Sequence, residues 1–488
     1  MMTTIKEFTL IDLENVGLFV NGEWLTSLKE GTFSVENPST KKIVAHVPKG
    51  GQKETEKAIA AAHDAFQTWS KLTAQERADY LLKLRDLMHD HKEELATIMS
   101  LEMGKAFLEA VGEVTYAASF LTWYAEEARR IYGETIPASS PNKRLFVVKQ
   151  PVGVVAAITP WNFPVAMMTR KLGPALAAGC TGIVKPASQS PLTALAFAKL
   201  VEMSGIPNGV VNIVAGSTKE ISDEIFNNPI VKKISFTGST EVGKELVVQS
   251  ANQLKKLSLE LGGHAPFIVF EDADLEKAAE GALASKFRNA GQTCVCANRI
   301  YVHKNIKDEF AKIFVEKVKQ LKMGDSLAKN VEIGPLVNEE GVIKVKAQVE
   351  DAVNKGAKIL IGGTNGNLKN GYFFEPTVLD NVTNDMDIMK EETFGPVAPL
   401  TIFESDEEVI QEANNTKYGL AAYLYTADLK RAITVSEALN FGIIGLNDAL
   451  PGVAQAPFGG MNESGYGREG GHQGIRDYLE EKYISLEL

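Results

Sequence analysis

Only three cysteines, Cys180, Cys294 and Cys296, occur in 488 residues. That is too few for a disulfide framework in a chain of this size, and it points to a reducing compartment. Long apolar runs are missing as well. The most apolar stretches, Val152–Thr159 and Pro174–Val184, are bounded by Pro, Gly or Lys and fall well short of the roughly 20 residues that span a bilayer, so no membrane segment is expected. Met1–Glu14 carries acids and lacks a basic flank ahead of an apolar core; this is unlike a signal peptide, so export is not expected and the cytoplasm is. A basic face is also wanting. The net charge is −11, with acidic and basic residues mixed along the chain, which argues against a nucleic-acid partner. Tandem repeats and low-complexity linkers are absent. What is present, 44% hydrophobic residues, suffices for two or three domains with cores of their own.

Between Pro151 and Gly262, strand-like runs at Val152–Thr159, Gly182–Lys185, Val210–Val214, Lys233–Phe236 and Lys256–Leu261 alternate with helical spacing in Val165–Ala178, Pro191–Ser204, Lys219–Asn227 and Val242–Ala251. Continuous apolar strands joined by helices predict a parallel sheet covered on both faces, a Rossmann-like pattern. A second α/β series runs through Pro266–Phe270, Lys358–Ile361, Ala398–Ile402 and Ile443–Asn447, with helices at Leu275–Phe287, Lys307–Gln320, Val342–Lys355 and Glu407–Ala413. Gly133–Gln150 breaks this rhythm: the turn Pro137–Asn142 leads into the alternating strand Lys143–Gln150. Such a projecting hairpin needs another surface to cover its edges, which predicts self-association.

Three segments carry chemistry. Cys294 lies in Gly291-Gln292-Thr293-Cys294-Val295-Cys296, where glycine and small polar neighbours suit a nucleophile at a cleft floor, although a lone intracellular thiol is more often a small buried hydrophobe. Glu260, in Glu260-Leu261-Gly262-Gly263, ends a strand 34 residues upstream; a carboxylate there either acts as a base towards thiol or water or forms a salt bridge. Asn162, in Thr159-Pro160-Trp161-Asn162-Phe163-Pro164, closes another strand, where its amide suits either an oxyanion donor or a helix cap.

Together these segments resemble the aldehyde dehydrogenase superfamily. The likeness runs from Val20-Asn21-Gly22 to Gly467-Arg468-Glu469 and includes Glu391-Glu392-Thr393-Phe394-Gly395-Pro396 and Pro457-Phe458-Gly459-Gly460, all in the family's order. It implies an aldehyde dehydrogenase-like α/β fold: a Rossmann-like dinucleotide-binding domain (1–130 and 151–260), a second α/β catalytic domain (261–460), and a β-hairpin oligomerisation arm with the C-terminal segment (131–150 and 461–488). By position it implies Cys294 as nucleophile, Glu260 as general base, Asn162 as oxyanion donor, and Lys171 and Glu469 as support. The Cys294 thiolate would add to an aldehyde, the adduct would give hydride to a nicotinamide, and water activated by Glu260 would release the acid.

No Gly-x-Gly-x-x-Gly follows the early strands. The glycine signal is instead Phe236-Thr237-Gly238-Ser239-Thr240-Glu241-Val242-Gly243, at a strand end and helix start, which suits a pyrophosphate or an ordinary cap. The resemblance makes it the dinucleotide site, with Thr159, Pro160, Trp161, Lys185, Ala187, Ser188, Gly216, Phe236, Thr237, Gly238, Ser239, Val242, Leu261, Glu392 and Phe394 as the expected contacts. Many NAD-preferring relatives carry glutamate where this chain has Ser188. The serine removes the repulsion of a 2′-phosphate and Lys185 adds positive charge nearby, so NADP is expected to be preferred, with NAD as the alternative.

The subfamily most resembled is succinate-semialdehyde dehydrogenase, through Met168-Thr169-Arg170-Lys171, Ser285-Lys286-Phe287-Arg288-Asn289 and Cys294-Val295-Cys296. Arg170 and Arg288 would clamp the far carboxylate of a short anionic aldehyde. The chain departs from the subfamily at Pro451-Gly452-Val453-Ala454-Gln455, where a serine is usual; Gln455 or backbone N–H groups would replace it, or the pocket suits glutarate semialdehyde or a sulfonated or phosphorylated aldehyde. The resemblance also makes Cys296 a candidate disulfide partner of Cys294, against the reading of a passive small side chain. No metal site is expected, because no His or Cys pair accompanies these cysteines. His264 receives no role. Two rivals are a CoA-acylating enzyme, which Glu260 argues against, and a non-catalytic protein of the same fold; the partners otherwise expected are copies of the chain in a dimer or tetramer. Measured side by side, kcat/KM is expected to be higher with NADP than with NAD, and a strong NAD preference would reject the role given to Ser188.

Overall fold

The computed structural model describes residues 8–368 and 370–488. The first seven residues, half of the Met1–Glu14 stretch discussed above, lie outside them. Four helices, Gln52–Trp69, Ala74–Asp90, Lys92–Met103 and Phe107–Glu127, precede the first βα unit. The second of these is set by a capping box, Thr73 accepting from the Glu76 N–H while the Glu76 carboxylate returns to Thr73, which satisfies N–H groups that a helix start leaves unpaired.

The first sheet runs in the order Gly465–Tyr466, Lys256–Glu260, Val231–Thr237, Val154–Ile158, Thr181–Lys185, Val211–Ile213, Leu18–Val20, Glu23–Leu25. Its five middle strands, Lys256–Glu260 to Val211–Ile213, are mutually parallel, and the outer ones pair antiparallel. The parallel part follows from composition, because Val154–Ile158 and Thr181–Lys185 are buried at every residue, and strands without a polar face need helices on both sides. Ala166–Ala178 and Pro191–Ser204, two of the crossover helices, are themselves almost wholly buried.

The second sheet has the order Lys358–Ile361, Thr377–Asp380, Val397–Phe403, Ala297–His303, Ala265–Val269, Ala421–Tyr425, Ile443–Leu446, parallel except for its first strand. Three of its strands, Thr377–Asp380, Ala297–His303 and Ala421–Tyr425, add to those the sequence pattern predicts. Ala297–His303 escapes the pattern because it is buried throughout yet contains Asn298, Arg299 and His303. Arg299 is accommodated by donating to the carbonyls of His264, Glu412 and Ala413 at 3.0, 3.1 and 2.8 Å, so a buried cation sits where an apolar residue would mark a strand.

A third, smaller sheet holds the hairpin Glu134–Ile136 and Lys143–Pro151, with Leu479–Glu487 added along its other side in unbroken register from Leu479↔Pro151 to Glu487↔Lys143. Two apolar cores separate cleanly along the chain: the first gathers residues up to Leu261 with a few later ones, and the second runs from Ala265 to Phe441. The four residues Leu261–His264 carry the chain between the two sheets, and the candidate site lies at this crossing.

Candidate active site

Because the middle strands of the first sheet are parallel, their C-terminal ends open on one edge. Register places Glu260 beside Thr237, Ile158 beside both Phe236 and Lys185, and Val184 beside Ile213. The residues after these ends, among them Leu261, Gly238, Thr159 and Gly216, therefore line up along one crevice, the place where open α/β sheets receive ligands. A cavity of about 700 Å³ opens there and reaches across to the second sheet, with Cys294 in its wall.

Cys294 follows a tight turn, and its backbone is fixed in part by Asn162, whose Nδ2 donates to the Gln292 carbonyl at 3.0 Å. Asn162 lines the cavity alongside Cys294, so its second amide hydrogen is available to an oxygen near the sulfur. Burial pushes the Cys294 thiol up to about 12; Arg170 and Arg288 pull it down, while Glu392 and Glu260 add to the rise. The resting group is a thiol and needs a base.

Glu260 and Glu469 are two buried carboxyls whose surroundings drive them apart. Burial, and after it the charge of Glu469, raises Glu260 well above the carboxylate range. Burial would raise Glu469 too, but Lys171 and Arg170 more than offset it and hold Glu469 low. Lys171 Nζ donates to Glu469 and, at 2.6 Å, to Thr237 Oγ1, and Arg170 Nε stands 2.9 Å from Glu469 Oε2. Glu260 Oε2 has no hydrogen-bond partner among the described residues. Its carboxyl stands behind the cavity wall, where a β-carbon on Gly459 would come within 2.9 Å of Oε1.

The two arginines differ. Arg170 lines the cavity but is committed to Glu469, and its guanidinium lies 4.0 Å over the Phe458 ring. Arg288 also lines the cavity, forms no ion pair among the described residues, and has a buried Nε without a partner; its guanidinium is 5.4 Å from the Phe163 ring centre. The expected clamp is thus an unequal one. Gln455 is corrected outright as a substrate contact: Ala454 turns into the core, Gln455 is exposed, and the part of this loop facing the cavity is Ala449–Gly452.

On the cofactor side, Pro160, Trp161, Thr237, Gly238, Ser239, Leu261, Glu392 and Phe394 line the wall, and Trp161 meets Phe394 edge-on at 5.5 Å. Glu392 accepts from the Gly263 N–H at 2.9 Å, and burial, opposed by that bond, brings its carboxyl up to about 7. Ser239 caps helix Thr240–Ser250 by accepting from the Val242 N–H at 3.3 Å. Thr159 and Phe236 are buried at their strand ends. Lys185, Ala187, Ser188 and Gly216 lie farther along the same edge, outside the cavity wall; Lys185 Nζ donates to Thr218 Oγ1 at 3.0 Å, and burial lowers it to about 8. Cys296 is buried away from the cavity with its Sγ 3.5 Å from the Lys286 carbonyl.

The profile of the Aldehyde dehydrogenase family matches residues 24–484. The chain belongs to that family. It is 53% identical to the NADP+ succinate-semialdehyde dehydrogenase of Escherichia coli, covering 96% of this chain and 97% of that one, and 52% identical to the glutarate-semialdehyde dehydrogenase of Pseudomonas putida, with the same coverage. The crystal structure of succinate-semialdehyde dehydrogenase from Burkholderia pseudomallei superposes with a TM-score of 0.97 at 50% identity, over 99% of this chain and 100% of that one. The mixed α/β aldehyde dehydrogenase fold, with its Rossmann-like sheet, is thereby established.

Several residues of this aldehyde dehydrogenase site were not anticipated from sequence. Helix Phe107–Glu127 presents Glu109, Gly112, Glu113 and Tyr116 to the cavity, one face at helical spacing. Lys105 donates to Glu113 and, at 2.7 Å, to the Asn162 carbonyl, while Glu113 Oε1 accepts from the Val165 and Ala166 N–H groups, both at 3.1 Å. The one available signal was a pair of carboxylates four apart in the mostly apolar first part of the helix, ahead of Glu126 and Glu127. His264 is packed and uncharged: burial, then Arg299, drives it well below the ordinary histidine range. Since Cys294 loses its proton as pH rises and Glu260 becomes a carboxylate in the same direction, kcat/KM should climb from about pH 6 to about pH 9; a flat or falling profile would contradict a buried thiol nucleophile.

Proposed function

We propose that this enzyme is a non-acylating aldehyde dehydrogenase that oxidises succinate semialdehyde to succinate, with NADP preferred over NAD. The observation that carries the substrate reading is Arg288, a half-buried cation with no ion-pair partner among the described residues, in the same cavity wall as Cys294. A guanidinium with a buried, unpartnered Nε gains when a ligand completes its hydrogen bonds, and a carboxylate at the far end of a short aldehyde would do so. The names of the two relatives support this, since both act on semialdehydes of dicarboxylic acids.

In this reading Glu260 takes the thiol proton, directly or through water, and Cys294 Sγ bonds to the aldehyde carbon. The Asn162 amide and the Cys294 backbone N–H receive the charge that develops on oxygen, worth on the order of 3 kcal/mol. A nicotinamide held beside Trp161, Glu392 and Phe394 would supply the hydride acceptor for that carbon. After passing its first proton to solvent, Glu260 draws a proton from water, whose oxygen attacks the thioester; the C–S bond breaks, the acid leaves, and the proton on Glu260 returns to sulfur to restore the thiol. Glu469 holds both Arg170 and Lys171, and the three charges together tune Glu260. The residues present fit the dinucleotide: Glu392 keeps one oxygen for a ribose while the Gly263 N–H fixes the other, Trp161 and Phe394 form an aromatic wall, and the start of helix Thr240–Ser250 meets the crevice. Ser188 and Lys185, on the same edge, would accept a 2′-phosphate. Cys296 remains a candidate for a disulfide with Cys294 and would have to turn from its present burial to reach it.

Glutarate semialdehyde is the second reading. It is favoured by a loop, Ala449–Gly452, that brings no hydroxyl to the cavity and so sets no fixed distance for the far carboxylate. The domain limits proposed are residues 1–130 with 151–260, residues 261–460, and 131–150 with 461–488, consistent with the two cores. Among the described residues no helix is long and apolar enough to cross a membrane, and with three free cysteines a cytoplasmic setting is proposed. The arm's outer strands carry exposed Ile136, Tyr483 and Leu486, which supports a homodimer or homotetramer; light scattering giving only a monomer would exclude it. Replacing Arg288 by Ala should raise KM for succinate semialdehyde by about 10- to 100-fold, as expected for losing a charge-assisted bond. KM for butanal should stay within about threefold, and equal effects on both would reject the anion-binding role.

A further inference from the structure

Asn289, Ala290 and Gly291 are three consecutive left-handed residues, with φ of 52°, 53° and 75°. Only the glycine adopts this backbone freely, and a run of this kind persists where its surroundings hold it. The turn is buried and carries Arg288 at one end and Gln292-Thr293-Cys294 at the other. Two contacts clamp it from outside the segment. On one side Gly291 presses against the Gly395 carbonyl, which a β-carbon would approach to 2.1 Å. On the other, both carboxyl oxygens of Glu109, on helix Phe107–Glu127, accept from the Asn289 N–H at 3.1 and 2.9 Å. Asn289 Nδ2 in turn donates to the carbonyls of Asn162 and Gln292, each at 3.2 Å, so the turn ties the anion pocket to the oxyanion donor as well.

We propose that Glu109 is a positioning residue that determines substrate specificity: by holding the Asn289 N–H it fixes the left-handed turn, and with it the place of the Arg288 guanidinium in the cavity relative to Cys294. This inference rests on the reading that Arg288 receives the anionic end of the aldehyde. Glu109 does not itself form an ion pair with Arg288 among the described residues; its link to the arginine runs through the backbone of the next residue. Burial, opposed by Lys105 and the Asn289 N–H, brings the Glu109 carboxyl up to about 7, so an uncharged acceptor is a fair substitute for it near neutrality.

The test compares Glu109→Ala, Glu109→Gln and Arg288→Ala in the full chain, with succinate semialdehyde and butanal as substrates at saturating cofactor, and thermal melting as the fold control. Glu109→Ala leaves a buried N–H unpaired; it should lower kcat/KM for succinate semialdehyde about tenfold or more, through KM, with about threefold or less for butanal. Glu109→Gln keeps an acceptor oxygen and should recover most of the loss. If Glu109→Ala does not fold, Glu109→Leu, which keeps the volume without the acceptor, gives the same comparison. The inference is overturned if the acceptor-less variant folds and impairs both substrates equally, or if Glu109→Gln is as impaired as that variant. Arg288→Ala separates the two failures: equal losses on both substrates sink the substrate reading, whereas a selective loss there without one at Glu109 sinks only the role of Glu109.

Discussion

Gly263 has no room for a side chain, since a β-carbon there would meet the Cys294 carbonyl at 2.2 Å. That close approach of two backbones is the constraint on which the site depends. It lets the strand leaving the first sheet at Glu260 pass directly beneath the segment that carries the nucleophile into the second sheet. The same residue's N–H holds Glu392. Glu260, Cys294 and Glu392 are thus brought to one four-residue crossing, and a larger residue at Gly263 would pry them apart.

Around this crossing the structure buries Lys171, Arg170, Glu469 and Glu260, and their arrangement decides what each can do. Lys171 and Arg170 keep Glu469 ionised, and the ionised Glu469 adds to burial in raising Glu260, which makes the Glu260 carboxylate a stronger base. Two carboxyls of one residue type are given opposite tasks by their surroundings. Lys105 and Glu113 do comparable work farther out, holding the Asn162 carbonyl and the start of the helix that bears Arg170 and Lys171. Removing one partner of such a pair leaves an uncompensated buried charge, which costs more than the pair contributes.

Much of this was legible in the chain. The fully buried strands Val154–Ile158 and Thr181–Lys185 announce a two-sided parallel sheet, and Cys294, Glu260 and Asn162 stand in the short segments on which the proposed nucleophile, base and amide donor rest. Where polar residues serve inside the core, legibility fails: Ala297–His303 is hidden by Arg299, and Glu109 and Glu113 read as ordinary charges on a helix until tertiary packing turns them inward. Gln455 shows the converse error, a polar side chain near the site in sequence whose neighbour Ala454 takes the inward place.

The kind of reaction was determined by the sequence itself, because it depends on which functional groups exist and on which strand ends carry them, and both follow from residue identity and local pattern. Which arginine is free to meet a substrate was decided only by the tertiary structure. Glu469 reaches Arg170 from about 300 residues away and pairs with its charge, while Arg288, held on a left-handed turn that Glu109 clamps, lines the cavity with no ion pair among the described residues. Pairing between charges depends on distance in space, and no spacing along the chain encodes it.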